Sequence, residues 1–168
     1  SLKEYNVSKG NMVFSSDQSG VLFDKYKEYI ILYPIGKTET SYTVPYSVYE
    51  IAPDAFYGCE TLKTVIFGEN VEIIGSWAFG YCMNLEAIGF DQWVCDIGAF
   101  AFYGCDKLEN VYFTSTEAAW EYDVDVKDGN EPLLNAVMHF EAEMPEFVEA
   151  PTAPGFIEGS KYILDEGY

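Results

Sequence analysis

The chain contains no arginine. Its cations are nine lysines and a single histidine, set against 28 aspartates and glutamates, for a net charge of -19. Nucleic-acid binding needs a basic footprint and leans on arginine forks to phosphate and guanine. Neither is present, so nucleic acid is excluded as a partner. An anionic membrane surface is disfavoured for the same reason. Long apolar runs are also missing: the longest, Tyr29–Tyr33, is far short of the ~20 residues a spanning helix needs, so membrane insertion is not expected. The polar start, Ser1–Gly10, carries no signal-peptide pattern. A mature or truncated chain would look the same, so this does not make the protein cytoplasmic.

Apolar residues, by contrast, are abundant. They make up 49% of the 168 residues, and aromatics 17%, enough for one domain with a sizeable core and too many for a disordered chain. The acid excess keeps such a chain soluble; alternatively it draws cations or basic partners.

Three segments align without gaps: Val48–Asn70, Val71–Trp93 and Val94–Thr116. Phe56, Phe79 and Phe102 are 23 apart, as are Cys59, Cys82 and Cys105, Leu62, Leu85 and Leu108, and Phe67, Phe90 and Phe113. Softer columns run through Ile51, Ile74 and Ile97, through Ala52, Gly75 and Gly98, and through Val65, Ile88 and Val111. Burying each larger apolar side chain stabilises by about 1.5–3 kcal/mol. Ordering each backbone residue costs about 1–2 kcal/mol. A single unit therefore cannot fold alone; units must stack, with identical residues in ladders. Within a unit, Leu-x-x-Val-x-Phe ends in period-2 spacing, which predicts a short strand in a parallel layer. Ala-Phe-x-Gly-Cys predicts a tight or short helical turn on the far side, with Gly58 and Gly104 at a positive φ or a close approach. The middle unit reverses that pair to Gly80-Tyr81, so its turn is expected to differ locally.

The pattern Val-x-x-Ile-Gly-x-x-Ala-Phe-x-Gly-Cys-x-x-Leu-x-x-Val-x-Phe resembles the BspA-type leucine-rich repeat of bacterial surface proteins. The middle unit shows it as Val71, Ile74, Gly75, Ala78, Phe79, Cys82, Leu85, Ile88 and Phe90. The resemblance implies an α/β repeat solenoid of short coils, with parallel strands on one face, tight helical turns on the other and a β-meander at the start. It further implies an extracellular or surface-attached bacterial protein serving recognition or adhesion, without catalysis by the repeats and without a cofactor.

The expected organisation is a divergent cap over residues 1–47, three regular repeats over 48–116, a closing repeat with a short helix over 117–140, and an acidic, proline-rich tail or linker over 141–168. Thr114, Ser115 and Thr116 offer an N-cap for that helix, with Trp120 as its anchor. Val137-Met-His-Phe reads as one more strand, Met138 and Phe140 facing inward.

The chemistry is sparse. Cys59, Cys82 and Cys105 form one inward ladder whose Cβ atoms lie near the ~4.8 Å strand spacing, beyond the usual disulfide range, so buried free thiols are expected. No C-x-x-C spacing supports a metal site. Cys95 lies outside the ladder and is the expected exposed thiol. His139, the only histidine, falls on the outward side of its strand. Asp123-Val-Asp125-Val-Lys-Asp128-Gly129 hints at a calcium loop, but a lysine breaks the EF-hand spacing. No acidic pair is tied by spacing to a cleft, so a hydrolase remains only a remote reading.

Two surfaces could carry a ligand. On the strand face the outward columns are Thr64/Ala87/Asn110/Val137 and Ile66/Gly89/Tyr112/His139, uncharged in an acidic chain. On the turn side, Trp77 and Phe100 occupy equivalent positions near Tyr57 and Tyr103, and Trp93 stands at the end of the middle unit. Aromatics there could stack on a sugar or a partner chain, or pack coil to coil. The candidate interaction residues are thus Thr64, Ile66, Asn110, Tyr112, His139, Trp77, Phe100 and Trp93. The expected role is a monomeric, non-catalytic recognition or adhesion module for a protein or glycan, the alternative being a structural spacer that presents another domain.

Overall fold

The computed structural model describes residues 2–144. In chain order its strands are β1 (Phe14–Ser16), β2 (Leu22–Asp24), β3 (Tyr29–Leu32), β4 (Ser41–Thr43), β5 (Glu50–Ile51), β6 (Thr64–Ile66), β7 (Ile73–Ile74), β8 (Ala87–Phe90), β9 (Asp96–Ile97) and β10 (Asn110–Phe113). Then come helix α1 (Glu117–Asp123), β11 (Asp125–Val126), helix α2 (Glu131–Asn135) and β12 (Val137–His139). They build a repeat solenoid with parallel strands on one face and tight turns opposite.

The strand face is a five-stranded parallel sheet in the order β12-β10-β8-β6-β4. Ser41 pairs with Thr64, Thr64 with Ala87 and Ala87 with Asn110, each 23 residues on, whereas the last step, Asn110 to Val137, is 27. The 1–47 segment therefore supplies a strand in repeat register, and α1 accounts for the longer last step. A second sheet has the order β1-β2-β3-β5-β7-β9-β11; its start is the expected meander, but its continuation along the stack was not anticipated from the sequence. It begins as an antiparallel meander and continues as two-residue parallel rungs. Two residues are too few for a hydrophobic period to register.

The core is the set of inward columns. Phe56, Phe79 and Phe102 are fully buried and stack at 4.6 and 5.3 Å between ring centroids, nearly parallel. Phe67 and Phe90 repeat this at 4.9 Å. Such offset stacks stabilise beyond the area they bury.

On the turn side each unit makes a run of i→i−3 hydrogen bonds: Ala78 N to Gly75 O, Gly80 N to Trp77 O and Cys82 N to Phe79 O in the middle unit, with the same pattern on either side. Between coils, Phe56 N donates to Ala78 O and Phe79 N to Ala101 O. Contrary to expectation, the middle turn does not differ. Tyr81 adopts φ 57, matching Gly58 at 68 and Gly104 at 74, and its N–H donates to Tyr103 O at 2.7 Å as Gly58 N–H does to Gly80 O at 2.8 Å. The inter-coil ladder sets the backbone, and Tyr81 accepts a left-handed conformation that costs a non-glycine residue about 1–2 kcal/mol.

Gly75 and Gly98 hold the coils close. A Cβ on Gly75 would lie 2.5 Å from Pro53 N, and one on Gly98 would lie 2.5 Å from Ser76 N. Both obstacles are backbone and cannot give way.

At the carboxy-terminal end Thr116 caps α1, accepting from Ala119 N at 3.1 Å. Trp120 lies against Phe90 and Phe113, as its anchoring role requires. The stack closes on Asn130, which is 1% exposed. Its Oδ1 accepts from Phe102 N at 2.9 Å, and its Nδ2 donates to Gly98 O at 3.0 Å and Lys127 O at 2.8 Å. The side chain thus takes the place of the carbonyl a further coil would offer. Of the 141–168 tail, residues from 145 on lie outside the described residues.

Candidate functional site

On the turn edge, one position of each coil is left-handed: Asp54 (φ 59), Trp77 (61), Phe100 (59) and, one coil on, Gly129 (80). Phe100 N donates to Asp128 O as Trp77 N does to Ala99 O, which fixes that correspondence. This conformation throws the Trp77 and Phe100 rings outward and onto each other, 4.8 Å apart at 14°. The bare α-carbon of Gly129 leaves room for the far face of Phe100.

The tyrosines complete a ridge. Tyr57 and Tyr103 occupy one column and Tyr81 the next. The Gly-Tyr reversal lets the Tyr81 ring fill the space between them, edge-on to Tyr57 at 5.6 Å and to Tyr103 at 5.5 Å. A Cβ on Gly104 would meet Tyr81 Cδ1 at 2.9 Å, so the ring needs a glycine there. Trp77 touches Tyr57, Tyr81, Tyr103 and Phe100. Five aromatic rings spanning three coils form one continuous ridge, half-buried at Trp77 and Phe100 and 39–45% exposed at the tyrosines. Sequence reading found Trp77, Phe100, Tyr57 and Tyr103 but missed Tyr81; the reversed Gly80-Tyr81 pair was the signal.

The strand face differs. Thr64, Asn110, Ile66, Tyr112 and His139 alternate away from the core, yet Thr64 is only 8% exposed and the other four are half-buried. His139 stacks on Tyr112 at 4.6 Å, and its Nε2 donates to Asn110 Oδ1 at 2.9 Å. An amide cannot relay a proton, so this contact orients the ring and activates nothing. Part of the face is covered by the chain itself, because Met144 lies over Gly89. Trp93 is 58% exposed and pairs with no other ring among the described residues.

The thiols are quiet. Cys59, Cys82 and Cys105 are buried, and the Sγ atoms of Cys82 and Cys105 donate to Phe56 O and Phe79 O at 3.2 Å. Burial pushes the Cys59 thiol up, and the adjacent Cys105 thiol together with burial pushes Cys82 up further, which keeps both protonated. Cys95 is exposed, but partial burial and the carboxylates of Glu72 and Asp96 raise it too, which makes it a weak nucleophile. Among the described residues no cluster of three or more His, Cys, Asp or Glu is placed to hold a metal ion, and no helix is long and apolar enough to cross a membrane. A cleft of about 250 Å³ opens in the meander beside Lys37, whose Nζ is committed to Ser19 O at 2.7 Å and the Glu39 carboxylate at 3.1 Å.

The BspA-type leucine-rich-repeat region profile matches residues 36–122, in six copies. The chain belongs to the BspA-type leucine-rich-repeat family. Among solved structures it is similar to a leucine-rich-repeat protein from Eubacterium ventriosum, at 27% identity and a TM-score of 0.63 over 68% of this chain and 30% of that one. It is also similar to the pneumococcal vaccine antigen PcpA, at 29% identity and a TM-score of 0.60 over 67% of this chain and 33% of that one. The chain thus spans about a third of the length of these relatives. No curated protein sequence matches it.

Proposed function

We propose that this chain is a non-catalytic recognition module of a bacterial surface or secreted protein, and that it engages a protein or glycan through the aromatic ridge on its turn edge. The observation that carries the reading is Tyr81. A tyrosine stands in a left-handed conformation where both its counterparts are glycine. Strain of that kind persists where surroundings enforce it and is concentrated at functional sites. Here it links Tyr57 to Tyr103 and makes the ridge continuous. Tyrosine and tryptophan suit recognition because they offer rigid contact area with a polar tip at small entropic loss. The family is consistent with an interaction module, and one relative is a vaccine antigen, which supports display outside the cell.

The experiment is a screen of the chain on glycan and host-protein arrays beside a Tyr57→Ala/Tyr103→Ala variant. The reading requires at least one ligand that the wild type holds and the variant loses by about tenfold or more, the effect of removing ~1.4 kcal/mol. Silence of the wild type on both arrays would favour a spacer that presents another domain.

A further inference from the structure

Residue 89 is the one rung of its outward column without a side chain. Its neighbours along the sheet are Thr43, Ile66, Tyr112 and His139. The missing side chain leaves a notch in the middle of the strand face, and Met144 fills it. A Cβ on Gly89 would lie 2.6 Å from Met144 Sδ and 2.9 Å from Ile66 Cδ1.

The path of the chain explains how Met144 arrives there. After β12 the chain could have begun another coil. Instead Glu141 turns left-handed (φ 52), its N–H donates to Ser115 O at 2.8 Å, and Ala142 N–H donates to Phe113 O at 3.2 Å. Both acceptors belong to the coil of β10, which lies between β12 and β8, and with Met144 over Gly89 the segment crosses β10 to reach β8. Methionine is unbranched and adaptable, which fits a shallow gap between differently shaped neighbours.

We propose that Glu141–Met144 is a strap docked in cis on the strand face, with Met144 as its key and the notch at Gly89 as its lock. With the strap in place, Gly89 is covered and Ile66 is half-buried; with the strap released, both join Tyr112 and His139 in one uncharged surface. Any partner that uses this face competes with the strap. The proposal does not depend on the turn-edge reading and can stand or fall separately from it.

Methionine footprinting of the full chain with hydrogen peroxide, read by peptide mass spectrometry, tests the proposal. Met12 is 82% exposed and supplies the reference for unprotected sulfur; the inward-facing Met138 reports on the fold. Met144 is expected to oxidise about tenfold more slowly than Met12, since a docked side chain reacts through its open population. Gly89→Ile should raise the Met144 rate to that of Met12 and leave Met138 unchanged, because isoleucine already occupies the adjoining rung. If Met144 reacts as fast as Met12 in the wild type, the proposal fails. It also fails if Met144 stays protected in the variant while Met138 is unchanged. Should Gly89→Ile unfold the chain, exchange of the Ala142 amide in Met144→Asp decides. Loss of its protection relative to the wild type upholds the strap, and equal protection overturns it.

Discussion

The turn edge and the strand face are cut from the same 23-residue unit but behave as different materials. On the turn edge, Gly75 and Gly98 sit where a Cβ would strike the backbone of the preceding coil. On the strand face, Gly89 sits where a Cβ would strike the mobile end of two side chains. One glycine type makes the coils inseparable, and the other leaves a socket. The aromatic ridge is therefore held on an unyielding frame, which favours presentation of a preformed surface, whereas the strand face can change its cover. Solenoids commonly use the sheet for binding; here the sheet is partly occupied by its own chain, and the opposite edge is the open one.

The contrast can be broken at several points. The largest expected effect is Gly98→Val. With no relief for a backbone clash it should destabilise by about 4 kcal/mol or prevent folding, whereas Gly89→Val should cost under about 1 kcal/mol, because Met144 moves aside. Urea midpoints compare the two, and equal losses would erase the distinction between rigid edge and adjustable face. Next, Asn130→Ala leaves the buried Phe102 N–H without its acceptor and removes two further hydrogen bonds, to the carbonyls of Gly98 and Lys127. A loss of about 2–3 kcal/mol is expected in the same titration.

The Cys59 and Cys82 thiols give a third test. Their pKa values are raised in the folded state, so folding favours the protonated form. That contribution is fully present below the ordinary thiol value near 9.0 and is lost as pH rises above it. Stability at pH 10 should fall below that at pH 7 by on the order of 1 kcal/mol per titrating thiol, and the drop should shrink in Cys82→Ser. The smallest effect is Tyr81→Gly. It removes left-handed strain of about 1–2 kcal/mol but also the ring between Tyr57 and Tyr103, so the net change in stability should stay within about 1 kcal/mol, while ligand binding drops. A large gain in stability with binding unchanged would show that Tyr81 does not serve the ridge.

The sequence showed most of the stack directly, because each inward column repeats one residue type at a constant offset. Phe56, Phe79 and Phe102 were legible for that reason, as were the Thr116 cap and the Trp120 anchor, which rest on local chemistry. The second sheet was legible only as its opening meander, since its parallel rungs are two residues long. Asn130 was missed because its partners, Gly98 and Phe102, are remote in sequence and only stacking brings them near. The middle turn was misread because local preference argued against a left-handed tyrosine, and the inter-coil hydrogen bond overrides that preference. The same limit hid Met144: a notch and its occupant 55 positions apart leave no periodic trace.

The central claim, recognition by the turn-edge ridge, is tested most directly by the affinity of one array-identified ligand for three chains. These are the wild type, Tyr57→Ala/Tyr103→Ala on the ridge, and Asn110→Ala/His139→Ala on the strand face, each checked for an unchanged urea midpoint. Affinity should fall about tenfold or more in the ridge variant and stay within about twofold in the strand-face variant. The opposite pattern would contradict that claim and place recognition on the strand sheet.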